Sequence, residues 1–227
     1  MTIRLFSTLA VQGAIAPLLP GWEGALGQPI AARFGPTQVL RAALDGGEAA
    51  DVVILTAEGI ADLAASGRVE AASAVDLAWS FVGIAQAPGA PHPDIATEAA
   101  FVATLRAAAS IAYSRAGASG IFFAGLIARL GIAEEIAAKA TVVPAGLTGA
   151  LVMDGRCQYA IQQVSELRMV PGIDVIGRLP ATLQVPGMFS AAARSADPAT
   201  AALLARLADP ALAAAYREAG LEPVHGG

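Results

Sequence analysis

The chain has 227 residues, of which 56% are hydrophobic and 15% are charged, and its formal net charge at pH 7 is −5. This length and composition are typical of a globular protein with one large α/β domain or two small lobes. The acidic balance, and the lack of any run among the 14 Lys and Arg residues, argue against a nucleic-acid-binding surface. The single cysteine, Cys157, excludes an internal disulfide and a cysteine-rich zinc site, and we predict neither a metal site nor a cofactor.

The beginning of the chain bears on its compartment. Met1 to Ala10 contains no basic leader followed by a long apolar stretch, and a core strand is already predicted at Ile3 to Phe6. We therefore expect either a cytoplasmic protein or a mature periplasmic form to which Met1 was added. No stretch reaches the roughly 20 uncharged apolar residues of a membrane span, so we expect no membrane insertion.

Strands and helices are predicted to alternate along the whole chain. The predicted strands are Ile3 to Phe6, Pro29 to Phe34, Asp51 to Leu55, Ala78 to Ala87, Ile111 to Tyr113, Val142-Val143, Tyr159 to Gln163, Ile173 to Leu179 and Met188 to Ala193. The continuous apolar run after Asp51 favours a parallel sheet that is covered on both faces. We place a boundary near Trp79, which gives an α/β protein with lobe I at 1–79 plus 180–227 and lobe II at 80–179.

Three turns that follow predicted strands present hydroxyls and backbone N–H groups at the start of a helix. They are Ser7-Thr8, Pro36-Thr37-Gln38, and the segment from Ser114 to Ile121 in which Ser119-Gly120 opens the helix. A helix N-terminus carries a positive partial charge and unpaired N–H groups, so each turn suits a carboxylate or an oxyanion. Ligands of open α/β sheets bind at the carboxyl ends of strands. The sequence therefore predicts an anion-binding site.

Other polar residues leave alternatives open. Arg115 either pairs with the anion or points to solvent, and only one of Gln162 and Gln163 can face a ligand because neighbouring strand residues point to opposite faces. The acidic residues are predicted to be structural, and no paired carboxylates are evident. His92 and His225 are predicted to lie on the surface, which argues against a histidine-based triad. Signatures of nucleotide binding and of acyl transfer are absent.

The order of these motifs resembles a known family. Leu5-Phe6-Ser7-Thr8, Arg33 to Thr37, Ala50 to Thr56, and Tyr113-Ser114 with Gly117 to Ile121 resemble, together with their spacing, the molybdate-binding-protein branch of type 2 periplasmic solute-binding proteins. The similarity runs from about Ile3 to Pro223. It implies two α/β lobes, each a sheet flanked by helices, that clamp a ligand in the cleft between them by hinge closure.

The resemblance also implies positions for the ligand-binding residues. Hydroxyl and N–H donors are carried over to Ser7, Thr8 and Thr37 in the first lobe and are proposed at Ser114, Ser119 and Gly120 in the second. The neighbouring Pro36, Gln38, Arg115, Ile121 and Gln163 complete the candidate set.

This chain departs from the molybdate binders at two places. It has Pro36-Thr37-Gln38 where they carry a Ser-rich turn, and Gln163 near the position of their tyrosine. The Gly-Pro-Thr and Gly-Ala-Ser-Gly-Ile patterns are closer to a sub-branch that includes aconitate isomerase, which shifts a double bond in a tricarboxylic acid.

We therefore expect a monomer that binds a small anion, an organic carboxylate rather than molybdate, as the substrate-binding component of an ABC-type importer with a membrane permease as partner. The alternatives are a cofactor-independent isomerase of the aconitate type, with a serine or Glu166 as its base, and a cytoplasmic sensor.

Overall fold

Eleven strands form within residues 1–226, the part of the chain that the computed structural model describes. They are β1 (Ile3–Thr8), β2 (Ile30–Gly35), β3 (Val52–Thr56), β4 (Val75–Ser80), β5 (Val82–Gln86), β6 (Ile111–Ser114), β7 (Ala140–Val143), β8 (Tyr159–Gln163), β9 (Asp174–Arg178), β10 (Gly187–Ala193) and β11 (Glu222–Pro223). The α-helices are α1 (Gln12–Ile15), α2 (Leu19–Leu26), α3 (Thr37–Asp45), α4 (Ala57–Ala65), α5 (Glu98–Ala107), α6 (Ala118–Arg129), α7 (Ala133–Ala137), α8 (Gly149–Met153), α9 (Val164–Leu167), α10 (Pro198–Leu207) and α11 (Ala213–Glu218).

The chain divides into two units. Unit 1 comprises Met1–Ser80 and the chain from Gly187 onward, and unit 2 comprises Phe81–Pro186. Gly227, the last residue of the predicted lobe I, lies outside the described residues. Unit 1 contains a six-stranded sheet and unit 2 a five-stranded sheet, and each sheet is flanked by helices.

The sheet of unit 1 has the strand order β11-β4-β10-β3-β1-β2. The strands β1, β2 and β3 are mutually parallel, and Thr8 at the end of β1 is in register with Gly35 at the end of β2. The prediction of a parallel sheet is wrong for the other half, because β10 runs antiparallel to both β3 and β4. A core that includes Leu40, Leu55 and Leu63 packs α3 and α4 onto the sheet.

The sheet of unit 2 has the order β7-β6-β8-β5-β9. Here β6, β7 and β8 are parallel, and Ser114 at the end of β6 is paired with Val143 at the end of β7. Apolar clusters cover both faces of this sheet: one includes Phe101 and Phe123 from α5 and α6. The other includes Leu151 and Leu167 from α8 and α9.

Two local predictions are corrected. The strand predicted at Ala78 to Ala87 is two strands, β4 and β5, which belong to different sheets. The Ser7-Thr8 turn, which was predicted to start a helix, is followed by a series of short 3-10 and α segments that ends in α2. Pro17 and Pro20 each lack an N–H group, so a continuous ladder of i to i−4 hydrogen bonds cannot form there.

Within residues 1–226, none of the helices combines the length and the apolar character that a membrane crossing requires.

Candidate functional site

The first candidate surface lies where β1 and β2 end side by side in unit 1. Ser7 and Thr8 are both buried, and the Ser7 hydroxyl donates to the Thr8 carbonyl at 3.1 Å. Thr8 Oγ1 accepts from the Ala10 N–H at 3.3 Å, which leaves the hydroxyl hydrogen of Thr8 free to be donated elsewhere. Of these two predicted site residues, Thr8 is thus the better placed to donate to a ligand.

The second part of this surface is the start of α3. Pro36 is the N-cap residue, and no side chain accepts from the first turn of the helix. The N–H groups of Val39 and Leu40 both donate to the Pro36 carbonyl, so the N–H groups of Thr37 and Gln38 are the ones that no intrahelical acceptor serves. Thr37 Oγ1 is buried and has no hydrogen-bond partner. Thr37 and Gln38 were predicted to lie in a turn and are instead the first two helical residues.

Three other helices of this protein, α4, α5 and α10, begin differently. Thr56, Thr97 and Asp197 each accept a hydrogen bond from the first turn of α4, α5 and α10, as N-cap side chains ordinarily do. The first turns of α3 and α6 have no such side chain. Their N–H groups are therefore available to an anion, which the positive end of the helix dipole also favours.

The start of α6 forms the corresponding surface of unit 2. The helix is capped by Gly117, and the first intrahelical bond runs from the Ile121 N–H to the Gly117 carbonyl at 3.1 Å. The N–H groups of Ala118, Ser119 and Gly120 precede it and have no intrahelical acceptor. The hydroxyls of Ser114 and Ser119 are buried and unpartnered, with side chains 3% and 1% exposed.

Two glycines allow the two serines to come together. A Cβ on Gly117 would lie 2.7 Å from Ser114 Oγ and 4.0 Å from Ser119 Oγ, so both hydroxyls flank this glycine. A Cβ on Gly120 would lie 1.7 Å from the Ser114 carbonyl oxygen, a distance that no side chain tolerates. Glycine at position 120 is therefore needed for the close approach of α6 to the end of β6.

Two predicted residues of this segment point elsewhere. The Arg115 N–H donates to the Val143 carbonyl at 2.8 Å, and its side chain is exposed. Ile121 is 45% exposed although it is apolar. Both flank the serine hydroxyls without contributing a buried donor.

The end of β8 holds Gln162 and Gln163, of which Gln163 was predicted as a ligand-binding residue. Gln162 is 1% exposed and fully engaged: its Oε1 accepts from the N–H and hydroxyl of Thr148 at 2.7 and 2.8 Å, and its Nε2 donates to the Gly146 carbonyl at 3.0 Å. Gln162 therefore fixes the loop that follows β7. Gln163 is also buried and is held by an interaction of its own.

Ser165 and Glu166 follow in α9. The Ser165 hydroxyl is buried without a partner, and Glu166 is 6% exposed. Burial raises the pKa of Glu166 to about 7, and a hydrogen bond with Gln162 opposes that increase. The only sequence feature that indicated Ser165 and Glu166 as site residues was their position directly after a strand, because the sequence pattern does not show that a glutamate is buried.

The two histidines lie outside these strand ends. His92 pairs with Asp174 at 2.7 Å, and both histidines are exposed, as predicted. Within residues 1–226, no three His, Cys, Asp or Glu side chains are grouped so that they could hold a metal ion.

We name the two surfaces donor edge 1 (Ser7, Thr8, and Pro36 to Gln38) and donor edge 2 (Ser114 to Ile121, with Gln163, Ser165 and Glu166). Each lies at the carboxyl ends of parallel strands, offers uncapped helix N–H groups, and holds unpartnered hydroxyls. Such a pair of α/β units defines the class of two-lobed periplasmic binding proteins, so the predicted fold class is confirmed.

The chain belongs to the family of bacterial extracellular solute-binding proteins, whose model matches residues 3–222. A curated relative, aconitate isomerase from Pseudomonas sp., is 37% identical over 98% of this chain and 88% of its own length. The periplasmic molybdate-binding protein of Azotobacter vinelandii has a TM-score of 0.78 at 16% identity and covers 96% of this chain and 98% of its own. L-phospholactate-bound PEB3, a protein of Campylobacter jejuni, has a TM-score of 0.72 at 14% identity over 97% and 99% of the two chains.

Proposed function

We propose that this protein binds small organic anions with the N–H and hydroxyl donors of its donor edges. We further propose that it serves in the periplasm as the substrate-binding component of an ABC-type importer, with a membrane permease as its partner. One observation carries the proposal. The buried side-chain oxygens without a hydrogen-bond partner in residues 1–226 are those of Thr37, Ser114, Ser119 and Ser165, and all four lie at the donor edges.

Unpartnered buried hydroxyls are costly in the free protein. Leaving one unsatisfied costs about 1–3 kcal/mol, and native proteins contain few of them. A bound anion would accept hydrogen bonds from these hydroxyls and from the uncapped N–H groups beside them, which offsets that cost. The stability lost in the free protein is therefore regained on binding.

The apolar neighbours of these donors favour a ligand with a carbon skeleton. Val39 in the first turn of α3 and Ile121 in the first turn of α6 are 39% and 45% exposed. A tetrahedral oxyanion presents only oxygen atoms, whereas a carboxylic acid also presents methylene groups that can cover such side chains. The phospholactate complex of PEB3 supports an organic anion on this fold.

Calorimetric titration with citrate, cis-aconitate, trans-aconitate, sulfate and molybdate tests the proposal. We expect tight binding of at least one tricarboxylate and weak or no binding of the two inorganic anions. Tight binding of molybdate alone would contradict the carboxylate assignment, and no binding across the panel would contradict the anion site itself. The transport role is tested by measuring uptake of the bound anion in cells that lack the gene and in the same cells after the gene is restored.

A substitution separates this site from ordinary buried serines. Ser119→Ala removes an unpartnered hydroxyl, so we expect higher stability of the free protein and at least tenfold weaker anion binding. Ser190→Ala is the matched control, because the buried Ser190 hydroxyl donates to Asp76 at 2.6 Å. That variant is expected to lose stability and to keep its affinity. Unchanged affinity in Ser119→Ala would place the ligand elsewhere.

A second candidate function is isomerisation of a small tricarboxylic acid. The 37% identity with aconitate isomerase over 98% of this chain specifically favours it. Incubation of the protein with trans-aconitate, followed by NMR, tests the activity directly. If no cis isomer forms under conditions in which trans-aconitate is bound, the protein is a binding protein for this compound and not its isomerase.

A further inference from the structure

An isomerase that moves a double bond needs a group that takes a proton from one carbon and returns it to another. Such a group has to lie at the ends of the strands where the ligand donors are. Within residues 1–226, the first three residues after each parallel strand of the two sheets include two carboxyl side chains, Glu58 after β3 and Glu166 after β8, and no histidine. Among carboxyl groups, the choice of a proton-transfer group is therefore between these two residues.

The surroundings of the two glutamates differ. Glu58 is exposed in the first turn of α4, whereas Glu166 is 6% exposed. Glu166 is hydrogen-bonded to Gln162, which is itself fixed by Thr148 and Gly146, so its carboxyl group is held in place on a rigid frame. The hydroxyl of Ser165, the preceding residue in the chain, is buried and has no partner, so it is free to donate to a ligand oxygen.

We propose that Glu166 is the proton-transfer group of an allylic isomerisation, with the Ser165 hydroxyl holding a carboxylate of the substrate beside it. This inference rests on the second candidate function above. The carboxylate of Glu166 removes a proton from the methylene carbon of the substrate, and the electron pair of that C–H bond forms the new double bond. The electrons of the old double bond then take a proton from the carboxylic acid of Glu166 at the far carbon, and exchange of that acidic proton with D₂O before this step labels the substrate.

The balance of this step is complete within the site. One C–H bond breaks and another forms, the double bond moves by one position, and Glu166 ends in the state in which it began. No oxidant, reductant or metal is needed. A carboxyl group whose pKa is about 7 is also suited to both halves of the step, because near neutral pH it takes up and releases a proton with little free-energy cost.

The experiment compares three proteins with trans-aconitate as the probe: the unmodified chain, Glu166→Gln and Glu58→Gln. Binding is measured by calorimetry. Proton transfer is measured by NMR in D₂O, both as formation of the cis isomer and as deuterium incorporation into recovered trans-aconitate. We expect Glu166→Gln to bind within threefold of the unmodified chain and to lose about 100-fold or more of both isomerisation and exchange. Glu58→Gln should retain both.

The outcomes distinguish a failure of this proposal from a failure of the binding function or of the isomerase function. If the unmodified chain fails to bind trans-aconitate, the carboxylate site is wrong for this compound; if it binds without isomerisation or exchange, the isomerase function fails, and the role of Glu166 fails with it. If the unmodified chain isomerises and Glu166→Gln does so at the same rate, the proposal for Glu166 alone is overturned. Glu166→Asp, which keeps a carboxyl group, should restore part of the rate if the group transfers protons, and none if the residue only supports the fold.

Discussion

Gly120 offers a sharp test of how donor edge 2 is built. In Gly120→Ala the new Cβ would lie 1.7 Å from the Ser114 carbonyl oxygen, whereas real Cβ atoms essentially never come within 3.0 Å of such an atom. The start of α6 must therefore move away from the end of β6 by more than 1 Å. Overpacking of this kind costs about 1–3 kcal/mol. The displacement would also move the N–H groups and the serine hydroxyls that flank Gly117.

Gly125 provides a control in the same helix. A Cβ at Gly125 meets nothing within 4 Å, and the residue is exposed. Replacing an unconstrained helical glycine by alanine stabilises a helix by roughly 0.5–1 kcal/mol, so Gly125→Ala should raise the free energy of unfolding. The two variants make the same chemical change in one helix and are expected to act with opposite signs.

Thermal unfolding followed by circular dichroism measures both effects. For a chain of this size each kcal/mol corresponds to a shift in Tm of roughly 2–4 °C, so the two variants should differ by about 3–16 °C. Gly120→Ala is also expected to bind its anion at least tenfold more weakly, and Gly125→Ala to bind as the unmodified chain does. A Gly120→Ala protein with unchanged Tm and affinity would refute the close packing of α6 on β6.

Three further predictions concern charged and polar groups. The guanidinium of Arg4, which hydrogen-bonds to Asp51 at 2.8 Å, lowers the pKa of that carboxyl group to about 2. The resulting stability, on the order of 2 kcal/mol, is present above the unfolded-state pKa of about 4 and is lost as the pH falls towards 2. Asp51→Asn should therefore be less stable than the unmodified chain at pH 7 and equally stable near pH 2 in urea titrations. Glu166 has the opposite effect on the pH dependence of stability. Because its pKa is raised in the folded protein, the folded state binds the proton more tightly than the unfolded state does, and stability falls as the pH rises from about 4 to about 7. Glu166→Gln removes a cost on the order of 3 kcal/mol at pH 8 and none at pH 4, and equal curves for both proteins would show that Glu166 is not protonated in the fold. Gln162→Ala leaves the N–H and hydroxyl of Thr148 without their acceptor, so we expect a loss of about 2–4 kcal/mol and faster hydrogen exchange at Thr148; unchanged exchange would contradict the anchoring role.

The sequence by itself determined the local framework of the donor edges. Apolar runs that end in hydroxyl-bearing turns before helical patterns indicate, to within a few residues, where β1, β2 and β6 stop and where α3 and α6 begin, because hydrophobic period and capping chemistry act over short distances in the chain. The order of these motifs was enough to indicate the solute-binding family, and the family match over residues 3–222 confirms it.

Tertiary structure alone decided how these pieces pair. The run from Ala78 to Ala87 contains no proline, and its glycine, Gly83, lies inside β5. The run is divided at Phe81 because β4 and β5 pair with strands of different sheets. Burial is decided in the same way. Nothing in the sequence around Gln162 and Glu166 indicates that these polar side chains are buried. Only the packing of α8 and α9 on β8 makes Gln162 an internal anchor and Glu166 a carboxyl group that keeps its proton near neutral pH. Long-range pairing and desolvation depend on residues distant in the chain, which is why local patterns located the serines of the donor edges but could not show that their hydroxyls are buried without partners.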